Sequence, residues 1–151
     1  MDWTFGVTLK NRALLQQYIR EHSLEDLNKI PKGFKNNIIW NIAHSIVTQQ
    51  RLVYHFSGVP MLVSEAMVTQ FKNGTQPECA LSQSEVDHID ALLISSIEST
   101  QKDYHHGRFK TFETYTVGMK TTLHSVEEAI SFNNYHEGLH LGAILALRKL
   151  L

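Results

Sequence analysis

Ser125-Val126-Glu127-Glu128-Ala129-Ile130-Ser131-Phe132-Asn133-Asn134-Tyr135-His136-Glu137-Gly138-Leu139-His140-Leu141-Gly142 is the stretch whose reading decides the fold. Ser125 with Glu128 three residues on has the form of a capping box, so a helix is expected to start near Ser125 and to run on to about residue 150. At roughly 100° per residue, Ala129, Phe132, Leu139, Ala143, Ile144, Leu147 and Leu151 share one broad arc. His136 and His140 fall near its middle, with Glu127, Asn134, Arg148 and Lys149 opposite. Two histidines at i and i+4 stand one above the other on a helix, and both imidazoles then reach a single metal ion. The string also reads H-E-x-x-H, a zinc-peptidase signature in which the Glu is the general base. Such peptidases take a third ligand from downstream. Here only Leu141 to Leu151 follow, without His, Asp, Glu or Cys, so a third donor has to come from upstream.

Working outward, three more helical stripes appear. Leu14, Leu15, Tyr18 and Ile19 place a first helix over about 4–22, and Ser23-Leu24-Glu25-Asp26 caps a short extra turn before Pro31-Lys32-Gly33 breaks the chain. Asn36-Asn37 opens a second helix, which carries Ile39, Ile42, Ala43, Ile46, Val53 and Phe56 and stops near residue 57 before Gly58-Val59-Pro60. Ser82 with Glu85 opens a third over about 82–103, with Val86, Ile89, Leu93, Ile97 and Thr100 as its stripe. Gly58 to Leu81 is too long for a tight turn; it is expected to cross the bundle and border the site, with a short helix around Ser64 to Phe71. Residues 109–118 are rich in Thr, Phe and Tyr and read as extended or irregular. Four long helices with one long crossover define an all-α four-helix bundle that need not be simple up-down-up-down.

Composition sets outer limits. The chain of 151 residues is 42% hydrophobic with a formal net charge of −1, which fits one domain over 1–151 with one core. No basic stripe points to nucleic acid, and no apolar stretch approaches the roughly 20 residues of a membrane span. The single cysteine, Cys79, fits a reducing compartment, and Met1-Asp2-Trp3-Thr4 lacks the form of a signal peptide, so the expected location is cytoplasmic.

Nine histidines are present, and most need no special role. His22, His88 and His124 read as helix-surface or helix-end residues, and His105-His106 as a loop pair. Two unpartnered imidazoles in a core are costly, because each carries a donor and an acceptor. The alternative to ligation for His136 and His140 is therefore a hydrogen-bonded core pair. His44 is the leading candidate for the third donor, because it lies toward the edge of the second helix's apolar arc. His55 occupies a similar face roughly 16 Å further along, so the two cannot share one ion. Asn41 and Thr48, one turn either side of His44, are candidates for orienting a ligating ring.

Ile38-Ile39-Trp40-Asn41-Ile42-Ala43-His44, followed by Gly58-Val59-Pro60, resembles the W-x-x-x-H second helix of the DinB/YfiT-like superfamily. Asn133 to Gly142 resembles its final helix, with H-x-x-x-H closely followed by Gly, and the likeness of helix order and crossover covers nearly the whole chain. The resemblance implies an up-down-down-up bundle with the long crossover between helices two and three, often dimeric. It also implies a divalent metal, zinc or nickel, held by His44, His136 and His140.

Three imidazoles leave a fourth position open, where a metal acidifies bound water, polarises a carbonyl or holds a low-molecular-weight thiol as thiolate. The resemblance extends to thiol-dependent S-transferases, isomerases and metal-dependent hydrolases. The expectation is a metal-dependent enzyme acting on a small molecule, as a homodimer. Two alternatives stand beside it. One is a small H-E-x-x-H metallopeptidase with Glu137 as base. The other is a non-catalytic dimeric bundle whose metal is structural or vestigial.

Overall fold

Side-chain caps decide where most of these helices begin. Ser23, Asn37, Ser64, Ser82 and Ser125 each accept a hydrogen bond from the backbone N–H three residues on, satisfying one of the donors a helix start leaves unpaired. The computed structural model describes all residues, Met1–Leu151. It contains α1 (Asp2–Glu21), α2 (Leu24–Asn28), α3 (Ile38–Gln50), α4 (Glu65–Phe71), α5 (Gln83–His105) and α6 (Val126–Arg148). A two-residue-per-strand hairpin, β1 (Tyr115–Thr116) with β2 (Thr122–Leu123), precedes α6. α1, α5 and α6 fall within about two residues of the limits read from the sequence, and α3 begins within two but stops at Gln50, short of residue 57. The capping box at Ser82–Glu85 closes in both directions. At Ser125 it closes in one: Glu128 takes the N–H of His124 instead.

Polar contacts between helices give their directions. Arg12 meets Ser96 while Gln16 meets Asp90, so α1 and α5 are antiparallel. Asn134 donates to Thr4 and Asn11 donates to Glu137, so α1 and α6 are parallel. Gln49 donates to Thr100 and Tyr54 to Asp103, which makes α3 parallel to α5. Asn41 meets His140, while Leu52 packs beside Ala129, so α3 opposes α6. In chain order the long helices run up, down, down, up. Parallel α3 and α5 require the Gly58 to Leu81 connection to return along the bundle. Its ends are pinned on the way: Leu62 N–H donates to the buried Gln50, and Leu81 N–H to Asn28.

The main core gathers Leu15, Ile39, Ile42, Ile46, Leu93 and Ile144, among others. No helix is long and apolar enough to cross a membrane. Two local features depart from the sequence reading. First, α3 does not continue as a regular α-helix to residue 57: Arg51–His55 form a π turn, with Phe56 N–H reaching Arg51 C=O. A π turn holds one extra residue, so it acts as a one-residue insertion and turns the face that follows by roughly 100°. His55 is thereby exposed instead of sharing the face of His44. Gly58, at φ 68°, then ends the helix, in a conformation that side chains with a Cβ disfavour.

Second, α6 is rotated relative to the arc expected for it. Its buried residues are Val126, Ala129, Ile130, Asn133, Glu137, Ile144 and Leu147, and Leu139 is 54% exposed. The cause is Arg12 of α1, which is wholly buried. Its guanidinium donates to Glu137 Oε1 through Nε and a terminal nitrogen, at 3.1 and 2.9 Å, and to Ser96 and the Leu93 carbonyl on α5. Asn133 donates to the same carboxylate oxygen and Asn11 to the other. A polar line at 133 and 137 therefore points inward, where an apolar count points it elsewhere.

Removing one member of a buried ion pair strands the other without compensation. Glu137→Gln is expected to lower the unfolding free energy by about 3–5 kcal/mol in urea titration, whereas Glu98→Gln on the exposed face of α5 should change it by less than about 0.5 kcal/mol.

Candidate metal centre

Turning Glu137 inward to α1 leaves its neighbours on α6, His136 and His140, facing α3. There they meet His44, which is 4% exposed. The His44 ring centroid lies 5.2 Å from that of His136 and 4.7 Å from that of His140. One nitrogen from each of the three rings lies within 4.8 Å of the others.

The partners of the remaining ring nitrogens fix the tautomers. His44 Nδ1 is 2.6 Å from the Phe71 carbonyl, which only accepts, so Nδ1 carries the proton and Nε2 offers a lone pair. Phe71 ends α4, so the crossover itself orients this ligand. The ring is further held by parallel stacking on Trp40 at 4.7 Å. His140 Nδ1 is 2.8 Å from Asn41 Oδ1, and the Asn41 amide is oriented by its own donation to Asn37 C=O. His140 Nε2 is likewise left as a lone pair, 3.2 Å from His136 Nε2. Two nitrogens bound tetrahedrally at 2.0–2.1 Å from one ion stand about 3.3 Å apart. His136 Nδ1 is buried without a partner, so nothing in the protein competes for the orientation in which Nε2 joins the other two. Three uncharged imidazole donors with this spacing could hold one metal ion.

Electrostatics keep the donors neutral. Burial, then repulsion from His140 and His44, holds His136 down to about 3 from its ordinary 6.5. Burial and His44 hold His140 to about 4. His44 is also lowered, by burial and secondarily by the nearby Arg51 charge, against the raising effect of Phe71.

The cluster opens onto a cleft of about 250 Å³, whose wall includes His44, Thr48, His136 and Arg51. Thr48 Oγ1 lies 3.2 Å from His44 Nε2, on the lone-pair side. The hairpin forms the opposite wall through Tyr115, Val117, Gly118 and Met119, and Asn73 from the crossover closes one edge.

Asn41 orients a ligand-capable ring, that of His140 on the facing helix. Glu137 is not placed as a general base: it is 1% exposed and four donor groups occupy its carboxylate. His88, His106 and His124 are exposed, His105 pairs with Asp2, and His22 binds the Tyr18 carbonyl. Sequence reasoning missed Arg51 and the hairpin wall. β-Branched Thr114, Thr116 and Val117 before Gly118, with Thr121 and Thr122 after it, were the available signal for the hairpin.

A helical bundle that gathers three imidazoles beside a small cleft lined by two of them defines a class of metal-capable proteins. A sequence profile of the DinB superfamily matches residues 8–144, and the chain belongs to that superfamily. No curated protein matches it.

His44→Ala, His136→Ala and His140→Ala should each remove stoichiometric metal binding in chelator competition, while His55→Ala and His88→Ala retain it. Asn41→Ala, which frees the His140 ring, should weaken affinity by roughly 10–100-fold. The metal-free protein has a defined acid response. The folded imidazoles hold protons less tightly than the unfolded ones, so unfolding takes up protons below the ordinary 6.5. Stability should be full above about that pH and fall as pH drops through about 4 to about 3. Urea midpoints against pH would check this, and the slope should flatten in His136→Ala.

Proposed function

We propose that this protein is a metal-dependent enzyme that acts on a small molecule, with His44, His136 and His140 as the ligands and a low-molecular-weight thiol as cosubstrate. The observation that carries the reading is the composition of the cleft: His44 and His136 of the cluster line it, and no Asp or Glu does. A bound divalent ion would supply Lewis acidity, sufficient to keep a coordinated thiol as thiolate near neutral pH. A thiolate held in this way needs no carboxylate base. Activation of water for hydrolysis ordinarily has a general base within hydrogen-bond reach, which makes hydrolysis the second reading.

The protein's own contribution is positional. Phe71 C=O and Asn41 hold two rings in the tautomer that presents Nε2. Thr48 places a hydroxyl beside His44 Nε2, and the hairpin and Phe56 give the cleft apolar walls. The metallopeptidase alternative loses its general base, because Glu137 is committed to Arg12. A purely structural metal would call for a closed coordination shell, and the group of donors here numbers three. A homodimer is part of the proposal. Its interface would use the exposed face of α6, where Leu139 and Leu145 flank Gly138 and Gly142.

Zinc- or nickel-loaded protein should conjugate a low-molecular-weight thiol to a small electrophile, in a screen that varies the thiol and reads product by mass spectrometry. His140→Ala should abolish the product. Turnover of a peptide panel without thiol consumption would contradict the reading.

A further inference from the structure

The chain has five arginines. Four of them pair with carboxylates: Arg12 with Glu137, Arg20 with Asp90, Arg108 with Asp103 and Arg148 with Glu21. Arg51 has no carboxylate partner, and its guanidinium has no hydrogen-bond partner within the protein. It is half-buried and is the one charged side chain lining the cleft beside the histidines. A guanidinium partly withdrawn from water with its five donors unused is a costly arrangement unless something else supplies the acceptors.

Local backbone geometry aims this residue at the cleft. Arg51 opens the π turn two helical turns beyond His44, roughly 10 Å along the axis. In an unbroken α-helix, Phe56 would sit about 120° round from His44; the extra residue of the π turn brings it to about 20°. Phe56 therefore faces the same cleft, stacked on Tyr115 at 4.2 Å. Phe132 and Tyr135, 5.6 Å apart, form a second aromatic wall. π turns are rare and recur at functional sites.

We propose that the cleft takes its substrate as a small carboxylate with an apolar, flat body. The acid group lies on Arg51, the body lies between the two aromatic walls, and the reacting end points toward His44 and His136. Arg51 supplies one positive charge in a planar fork that matches a carboxylate. A phosphate monoester would bring about 1.5 to 2 negative charges to a wall with one cation. At about 250 Å³ the space lies below the roughly 300–1,000 Å³ of drug-sized ligand sites, which limits the body to about one ring. This inference places the reacting end by the metal-dependent reading, but the Arg51 subsite stands or falls separately.

Calorimetry with 3-phenylpropionate, its neutral amide 3-phenylpropionamide and phenyl phosphate tests it, on metal-loaded and on chelated protein. The acid should bind about tenfold or more tightly than the amide, and the preference should persist without metal. Arg51→Gln should erase the preference while leaving amide affinity unchanged, and Arg51→Lys should restore part of it. Thermal melts by circular dichroism should match wild type for both variants. No measurable binding of the acid, equal affinity for acid and amide, or a preference that survives Arg51→Gln would each overturn the proposal. Tighter binding of phenyl phosphate than of the acid would overturn the carboxylate assignment. A preference seen only with metal and indifferent to Arg51→Gln would mean coordination by the ion, and would also overturn it. Failure of the metal to bind would leave the acid-to-amide ratio of the chelated protein as the deciding result.

Discussion

The buried pair between Arg12 and Glu137 fixes how α6 is turned, and the candidate site follows from that rotation. Arg12 reaches from α1 to both α5 and α6, so a single guanidinium ties three helices together. On a helix, Glu137 and His136 differ by roughly 100°. Committing the carboxylate to α1 therefore commits the imidazoles to α3. The cost of burying these charges is large, and replacement by apolar side chains of similar volume can be neutral or better for stability. What this pair provides is a defined rotation: a wholly apolar α6 would have several neighbouring arcs of similar burial, whereas a carboxylate inside the bundle has one place where all its acceptors are used.

From that rotation comes a cluster whose parts restrain one another. His44 is stacked on Trp40 and tied to the crossover through Phe71; His140 is tied to α3 through Asn41. Both ties use Nδ1 and release Nε2. The same burial that depresses proton affinity leaves neutral donors, the form a metal requires. The crossover puts Met67, Phe71 and Leu81 into the core and the hairpin adds Val117 and Leu123; Asn73 and the hairpin residues Tyr115, Val117, Gly118 and Met119 also line the small cleft beside the cluster.

Much of the fold was legible because it rests on local rules. Ser82 with Glu85 and Ser125 with Glu128 mark helix starts by side-chain chemistry alone, and the stripes of α3 and α5 report a core at a 3.6-residue period. The crossover was legible from its length. The pairing of His136 with His140, and their meeting with His44, followed from ligand spacing together with family resemblance. What escaped was non-local or non-periodic. Glu137 carries the same letter whether it serves a metal or an arginine 125 positions away, and periodicity does not distinguish the two. Arg51 was invisible because a regular 100° step carries past the π turn, the feature that reorders the faces after residue 50. Asn41 was a candidate for orienting a ligating ring, but which ring was not legible: its amide turns across the interface to His140 on α6. The hairpin strands are two residues each, too short for any alternation to register.

The central claim is that three imidazoles, and no carboxylate, hold one ion with a position left open. X-ray absorption at the metal edge of the zinc- or nickel-loaded protein addresses it directly. The account predicts three histidine imidazoles at about 2.0–2.1 Å, with the remaining scatterer a light atom that is replaced by sulfur when a low-molecular-weight thiol is added. Fewer than three imidazoles, or a first shell that includes a protein carboxylate and is unchanged by thiol, would contradict it.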